Sequence, residues 1–306
     1  MKAVYIEKFG GPEVVKYGDL PDPSAGPGQI VVDAFAASVN GADWKVRAGH
    51  HGPQKFPLVL GRDFSGVVSA VGEGVADLRI GDEVFGVLEL GREGAYAEKV
   101  FIAASLVAKK PSGLSHVDAA ALALTGLTAL CSVEDSLKLK AGETILIQGG
   151  AGGVAGFAIQ LAKHLGARVI TTASAANVSY LRGLGADDVI DYNATDFTKA
   201  VRDCDAVFDT VGGDVATRSF AVLKSGGRAA FIASGPTAPT PARADVTSLR
   251  PAVGRTRAHL DRVAALVTSG VVKPPEVKVY DLAQAGEALK VSEGRHFRGK
   301  LVLKVR

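Results

Sequence analysis

The stretch from Thr144 to Lys163, TILIQGGAGGVAGFAIQLAK, restricts the fold more than any other part of the chain. Ile145, Leu146 and Ile147 form a short apolar run suited to a strand buried on both faces. The glycine-rich segment that follows offers a turn with almost no side chains. Beyond it, Val154, Phe157, Ala158, Leu161 and Leu165 recur at helical spacing and make one apolar face. Gly166 ends the helix, and Arg168 to Thr172 (RVITT) reads as the next strand. A helix crossing between two strands makes them parallel neighbours. Within the turn, Gly150, Gly152 and Ala155 occupy the small positions of a G-x-G-x-x-G/A pattern. That spacing suits a dinucleotide: Gly150 permits the tight turn, Gly152 lets a pyrophosphate approach the backbone, and Ala155 lets the helix close on the strand. The N–H groups around Ala151, Gly153 and Val154, at the positive end of the helix dipole, then face the phosphate charge.

A site for NAD carries an acid ~20 residues past the glycines, which grips the ribose 2′-hydroxyl and repels a 2′-phosphate. The residue at that position is Ala173, so the repulsive group is missing. Ser174 and Asn177 offer hydrogen bonds to a phosphate, which favours NADP (NADPH) over NAD; Ser174 reads equally well as a helix cap. Further strands follow at Asp188 to Tyr192, Ala206 to Asp209 and Arg228 to Ala233, alternating with helical or polar segments. Such alternation is the mark of a parallel sheet wound on both faces, with ligand crossing the carboxyl ends of its strands. Tyr192, Val211 to Gly213, and Ile232, Ala233 and Ser234 fall at those ends.

Before residue 115 the pattern changes to short alternating runs, such as Val4 to Ile6, Ile30 to Val32, Gly66 to Val71 and Glu83 to Val87, separated by Pro, Gly and Asp. Strand-like Val277 to Tyr280, a helix from about Gln284 to Val291 and a strand from Lys300 to Lys304 rejoin that first part. The expected organisation is an α/β chain: a β-rich domain of residues 1–115 and 271–306 around a doubly wound parallel-sheet domain of residues 116–270. Residues 235–257, rich in Pro, Ala and Thr, show no period. A net charge of +3 with scattered Lys and Arg gives no reason to expect nucleic acid. The apolar stretch Ala119 to Val133 lies between Asp118 and Glu134 and is expected to be too short to span a bilayer. Met1 to Lys8 lacks the apolar region of a signal peptide. Cys131 and Cys204 lie far apart and form no motif, as expected of small buried residues in a cytoplasmic protein.

Several motifs in order resemble the medium-chain dehydrogenase/reductase superfamily, in its zinc-independent NADPH:quinone oxidoreductase (zeta-crystallin-like) branch. They are Ser38 to Gly49 (SVNGADWKVRAG), Leu60 to Val68 (LGRDFSGVV), Ile80 to Gly86 (IGDEVFG), Leu124 to Ala129 (LTGLTA), the glycine fingerprint and Arg298 to Leu303 (RGKLVL). The resemblance covers nearly the whole chain and implies a GroES-like catalytic domain joined to a Rossmann domain, often as a homodimer. It implies hydride transfer from NADPH to a quinone or an activated α,β-unsaturated carbonyl. Zinc-dependent relatives carry His-Glu after the glycine corresponding to Gly61 and a cysteine near Asn40. Here Arg62-Asp63 and Asn40 stand there, and two cysteines cannot build a four-cysteine lobe, so no metal is expected.

By the same resemblance, Asn40 points toward the nicotinamide and Thr125 contacts its carboxamide. Asp43, Trp44, Lys45 and Arg47 are placed at the substrate mouth, Asp43 and Trp44 with Asn40 as the catalytic candidates. Trp44 suits either stacking on a flat acceptor or packing. Tyr192 resembles the tyrosine that meets the 2′-phosphate, with a core aromatic as its plainer reading. His296, Phe297 and Arg298 are expected to close over the nicotinamide end or to form a simple turn. Two alternatives stay open: a zinc-less alcohol dehydrogenase-like enzyme, and a nucleotide-binding protein with a structural or regulatory role.

Overall fold

The computed structural model describes residues 1–306 and divides into two compact units. The first contains Met1–Leu124, Arg255–Thr268 and Pro274–Arg306; the second contains Thr125–Gly254 and Ser269–Lys273.

In the first unit the strands are β1 (Lys2–Ile6), β2 (Lys16–Asp19), β3 (Gln29–Val39), β4 (Leu58–Val59), β5 (Asp63–Val71), β6 (Glu83–Val87), β7 (Lys99–Ala103) and β8 (Val107–Lys109). A short helix α1 (Asp43–Arg47) follows β3. Strand β3 organises the unit, because β5 pairs along one edge and β7 along the other, all antiparallel. Register shifts between Val31 and Val32 and between Ala34 and Ala36 bend it, as β-bulges do. Its side chains are mostly buried, among them Ile30, Val32, Ala34, Ala37 and Val39 in the unit's core.

Helix α2 (His116–Leu130) starts where Ser115 Oγ accepts from Asp118 N (3.0 Å) and donates to the Asp118 carboxylate (2.6 Å). That reciprocal cap satisfies an otherwise orphaned amide. With the π-helical turn Cys131–Ser136 the helix runs 21 residues, long and apolar enough to cross a membrane by length and composition. The expectation of too short a stretch is therefore corrected. Burial of 78% of its most apolar window accounts for that composition as core.

The second unit holds β9 (Thr144–Gln148), α3 (Gly153–His164), β10 (Arg168–Ala173), α4 (Val178–Gly183), β11 (Asp188–Asp191), α5 (Phe197–Ala200), β12 (Cys204–Asp209), α6 (Gly213–Arg218), β13 (Leu223–Phe231) and β14 (Thr247–Leu249). All six strands are parallel in the order β11-β10-β9-β12-β13-β14. Numbered within the sheet this is 3-2-1-4-5-6, the doubly wound order whose direction reverses beside its first strand. Helix α3 departs from the one-faced helix expected: Ala155 to Ala162 are all buried, since the helix packs on β9 and β10 and also on the π-helical turn. The small side chains Ala155, Gly156, Ala158 and Ala162 permit that double contact. Strand β14 lies in the segment without sequence period. Backbone pairing to β13 and the Ser248 Oγ bond to Pro239 O (2.6 Å) hold it, rather than any apolar alternation.

The chain returns to the first unit through α7 (Arg257–Thr268), β15 (Val277–Asp281), α8 (Ala285–Gly294) and β16 (Lys300–Lys304). Strand β16 pairs with β3, and β15 closes that edge. Two boundaries differ from those expected at 116 and 270. Residues 116–124 belong to the first unit, where the His116 ring stacks on Phe35 at 4.6 Å and meets Ser65 Oγ at 2.8 Å. Residues 255–268 belong there too, because Arg257 donates to Val107 O (2.9 Å) and pairs with Asp77.

Candidate active site

The glycine turn lies at the carboxyl end of β9, beside the reversal of strand order. Gly149 takes φ +76°, so the conformation that only glycine adopts freely falls one residue before the expected Gly150. Gly150 is required for closeness instead, since a Cβ there would sit 2.3 Å from Thr171 Oγ1. Gly152 differs from both. Its φ of −76° suits any residue, and an added Cβ would meet only Gly149 O, at 3.6 Å. Nothing in the protein's own packing demands glycine there; the open space lies beside the first turn of α3. Gly152 is the N-cap of α3 and no side chain caps the helix, which leaves its leading N–H groups, at Gly153 and Val154, for an external anion. Ala151 completes the turn, half-buried.

The other expected cofactor residues of this unit follow the ends of neighbouring strands. Ser174 makes no capping bond; its Oγ accepts from Asn177 Nδ2 at 3.0 Å, so the cap reading gives way to a polar pair at the end of β10. Tyr192 is 54% exposed just past β11, its N–H bonded to Ala173 O at 3.2 Å, and so is no core aromatic. Past β12, the Val211 and Gly212 N–H groups donate to the two oxygens of Asp209 at 3.2 and 2.9 Å. Asp209 is fully buried, and burial raises its carboxyl pKa against the pull of those two amides. Sequence reading passed it over as the end of a strand. Ile232, Ala233 and Ser234 follow β13, Ile232 N donating to Asp209 O (3.2 Å). Thr125, in α2, is buried.

In the β-rich unit, Asn40 sits at the centre of a buried polar network. Its Nδ2 donates to Asp63 Oδ1 (2.7 Å) and to Ser38 O (3.3 Å), while its Oδ1 accepts from Lys300 Nζ (2.8 Å). A cation on one end and a carboxylate on the other fix the amide's orientation. Both N–H bonds are engaged, so Asn40 has an acceptor lone pair to offer rather than a donor. Asp63 also accepts from Ser38 Oγ (2.8 Å) and Leu124 N (3.2 Å). Lys300 is 4% exposed and gives a second bond to Val39 O (2.8 Å). Burial lowers its pKa, and the Asp63 and Asp43 charges oppose that.

Asp43 is corrected from mouth residue to buried pillar. It is fully buried, its Oδ2 accepting from Tyr96 OH (2.6 Å) and Asn40 N (2.8 Å). Tyr96 reaches it because Gly61, at φ +89°, has no side chain: a Cβ there would lie 2.1 Å from the ring. Arg62 pairs with Glu93 at 2.7 Å and approaches Asp43 at 3.8 Å. Burial, then the Asp43 charge, pushes Glu93 up to about 8 against the pull of Arg62 and Arg255. Arg47 is also buried, pairing with Glu293 at 3.0 Å, and so leaves the expected mouth. Trp44 is half-buried against the core with Lys45 Nζ 5.6 Å from its ring. Phe297 packs on the same core, and Arg298 pairs with Glu276 at 2.7 Å. Lys300, Tyr96 and Glu93 escaped sequence reading; the one available signal was a lysine interrupting the apolar RGKLVL strand.

A β-rich unit with a 3-2-1-4-5-6 parallel sheet and an open glycine turn defines the class of two-domain pyridine-nucleotide oxidoreductases. The profile described as alcohol dehydrogenase GroES-like domain matches residues 26–112, and that described as zinc-binding dehydrogenase matches residues 184–303. The chain is 32% identical to the NADPH-dependent alkenal/one oxidoreductase, chloroplastic, of Arabidopsis thaliana, over 99% of this chain and 79% of that one. It matches the quinone oxidoreductase of Coxiella burnetii at 35% identity and TM-score 0.90, covering 100% and 99% of the two chains. The Escherichia coli quinone oxidoreductase complexed with NADPH matches at 29% identity and TM-score 0.91, over 100% of both. The chain belongs to the medium-chain dehydrogenase/reductase superfamily, among its quinone oxidoreductases and alkenal/one reductases.

Proposed function

We propose that this protein is an NADPH-dependent reductase of quinones or activated α,β-unsaturated carbonyls. The observation that carries the reading is the turn at Gly152, open to solvent, uncapped, and set at the reversal of strand order. When bound, NADPH supplies a hydride to the electron-poor acceptor. The chain's part is to bind and orient. The Gly150 to Val154 turn holds the pyrophosphate with backbone N–H groups. Ser174, Asn177 and Tyr192 meet the adenosine 2′-phosphate, where no carboxylate repels it. Val211 and Ile232 to Ser234 line the rest of the rim. In the β-rich unit, Asn40, held by Lys300 and Asp63, presents Oδ1 as an acceptor suited to a nicotinamide carboxamide.

The donor set around Asn40 supports a reaction without zinc, despite the name of one matching family. Asn40, Arg62 and Asp63 stand where zinc-dependent relatives carry cysteine, histidine and glutamate ligands. Two free, buried cysteines suit a reducing compartment such as the cytoplasm. A homodimer is the expected assembly. The test is NADPH oxidation followed with a small quinone and, in parallel, with an alkenal, against a control lacking acceptor. Acceptor-dependent oxidation supports the reading. Tight NADPH binding without turnover of either acceptor favours a nucleotide-binding role instead, and stoichiometric zinc in the purified protein overturns the metal-free mechanism.

A further inference from the structure

The peptide joining Gln148 to Gly149 is gripped at both ends by threonine hydroxyls from the two neighbouring strands. Its C=O accepts from Thr210 Oγ1 at 2.7 Å, just past β12, and its N–H donates to Thr172 Oγ1 at 3.1 Å, on β10. This peptide is the last unit of β9 before the chain turns with Gly149 at φ +76°. It lies where the sheet order reverses, so β10 and β12 flank it from opposite sides.

The grip continues inward through a buried chain of hydrogen bonds. Thr172 Oγ1 donates to Gln148 Oε1 (2.7 Å), and Gln148 Nε2 donates to Ser219 Oγ (3.1 Å). Ser219 Oγ in turn donates to Val215 O in α6 (2.8 Å). Every proton in that series has one direction: the Gly149 amide can only donate and the Val215 carbonyl can only accept. Gln148 and Thr172 are 1% and 4% exposed, so water does not replace these partners. Thr210 and Val211 also close in on the same peptide, since a Cβ added at Gly149 would lie 2.9 Å from both Thr210 Oγ1 and Val211 Cγ2.

We propose that Thr172 and Thr210 are positioning residues for the cofactor: together they lock the Gln148–Gly149 peptide plane and thereby aim the following N–H groups at the pyrophosphate. The proposal rests on the NADPH reading above. Neither hydroxyl touches cofactor; each acts through the backbone between them. Rotation of that plane would redirect the turn at Gly150 to Gly152 while leaving the far end of the rim, at Ser174 and Asn177, in place.

The test compares Thr172→Val and Thr210→Val with Thr172→Ser and Thr210→Ser. Dissociation constants are measured calorimetrically for NADPH and for adenosine 2′-phosphate, which lacks the pyrophosphate. Each valine variant is expected to weaken NADPH by about five- to tenfold, the effect of one hydrogen bond, and adenosine 2′-phosphate by less than about twofold. The serine variants, which keep the hydroxyl, return NADPH affinity to near wild type. Equal loss for both ligands, or no loss for NADPH, overturns the proposal. Thr210 is less buried than Thr172, so its pair of variants decides the matter if Thr172→Val does not fold. Wild-type protein that binds neither ligand defeats the NADPH reading itself, and shows it before any variant is made.

Discussion

Replacement of Glu93 by Gln probes the buried charge cluster most directly. Glu93 and Asp43 both face the Arg62 guanidinium, with the Arg255 charge also acting on Glu93, and Glu93 Oε2 and Asp43 Oδ1 have no hydrogen-bond partner. Burial of the Glu93 carboxyl, then repulsion from Asp43, raise it to about 8 from its ordinary 4.5. The pair therefore keeps a proton in the folded protein at pH values where the unfolded chain has lost it. Between those two values the folded state binds one proton more, so stability falls as pH rises, by about 1.4 kcal/mol per unit. The fall stops once pH passes the folded value of about 8. Across the whole window it amounts to at most roughly 5 kcal/mol, since the two acids titrate as a pair. Gln mimics the protonated acid and has no such proton to lose. In urea unfolding followed by Trp44, the only tryptophan, the stability of Glu93→Gln minus that of wild type should rise between pH 6 and 8 and level off above. Histidine contributions cancel in that difference. A difference that is flat, or that falls with pH, would refute the reasoning and show Glu93 to be an ionised, net-stabilising partner of Arg62 throughout.

Two further outcomes follow from the geometry. Gly152→Val should abolish NADPH binding with little change in thermal stability, because its backbone is extended and no protein atom lies within 3.4 Å of the new Cβ; retained tight binding, read by calorimetry, would show that the turn is not the phosphate site. Lys300→Met should cost about 3–5 kcal/mol, because it removes the buried cation whose charge offsets Asp63 through the shared Asn40 amide, and adding Asp63→Asn should recover much of it. Independent, additive losses in denaturant titrations of the single and double variants would contradict that coupling.

The dinucleotide fold was legible from a single segment. The apolar run Ile145 to Ile147, the glycines and the helix-forming sequence after them are local signals, each set by backbone conformation or by burial of adjacent residues. Strand β14 and helix α7 were not legible in the same way. One is held by backbone pairing at a sheet edge, and the other joins the β-rich unit through Arg257, whose partner Val107 lies far away in sequence. Glycine itself shows the distinction: the pattern marked Gly150 as the turn residue, whereas the positive φ belongs to Gly149 and Gly150 is needed for its closeness to Thr171.

By itself the sequence determined the parallel sheet, the turn at its centre and the lack of an acid at Ala173, because these depend on residue type at short spacing. Only the tertiary structure decided what the polar residues do. Asn40 meets Lys300 across 260 positions of chain, and Asp43 meets Tyr96 across 53. Hydrogen-bonding capacity taken up by such distant partners is what leaves Asn40 only an acceptor to offer and withdraws Asp43 from solvent, and no local pattern encodes it.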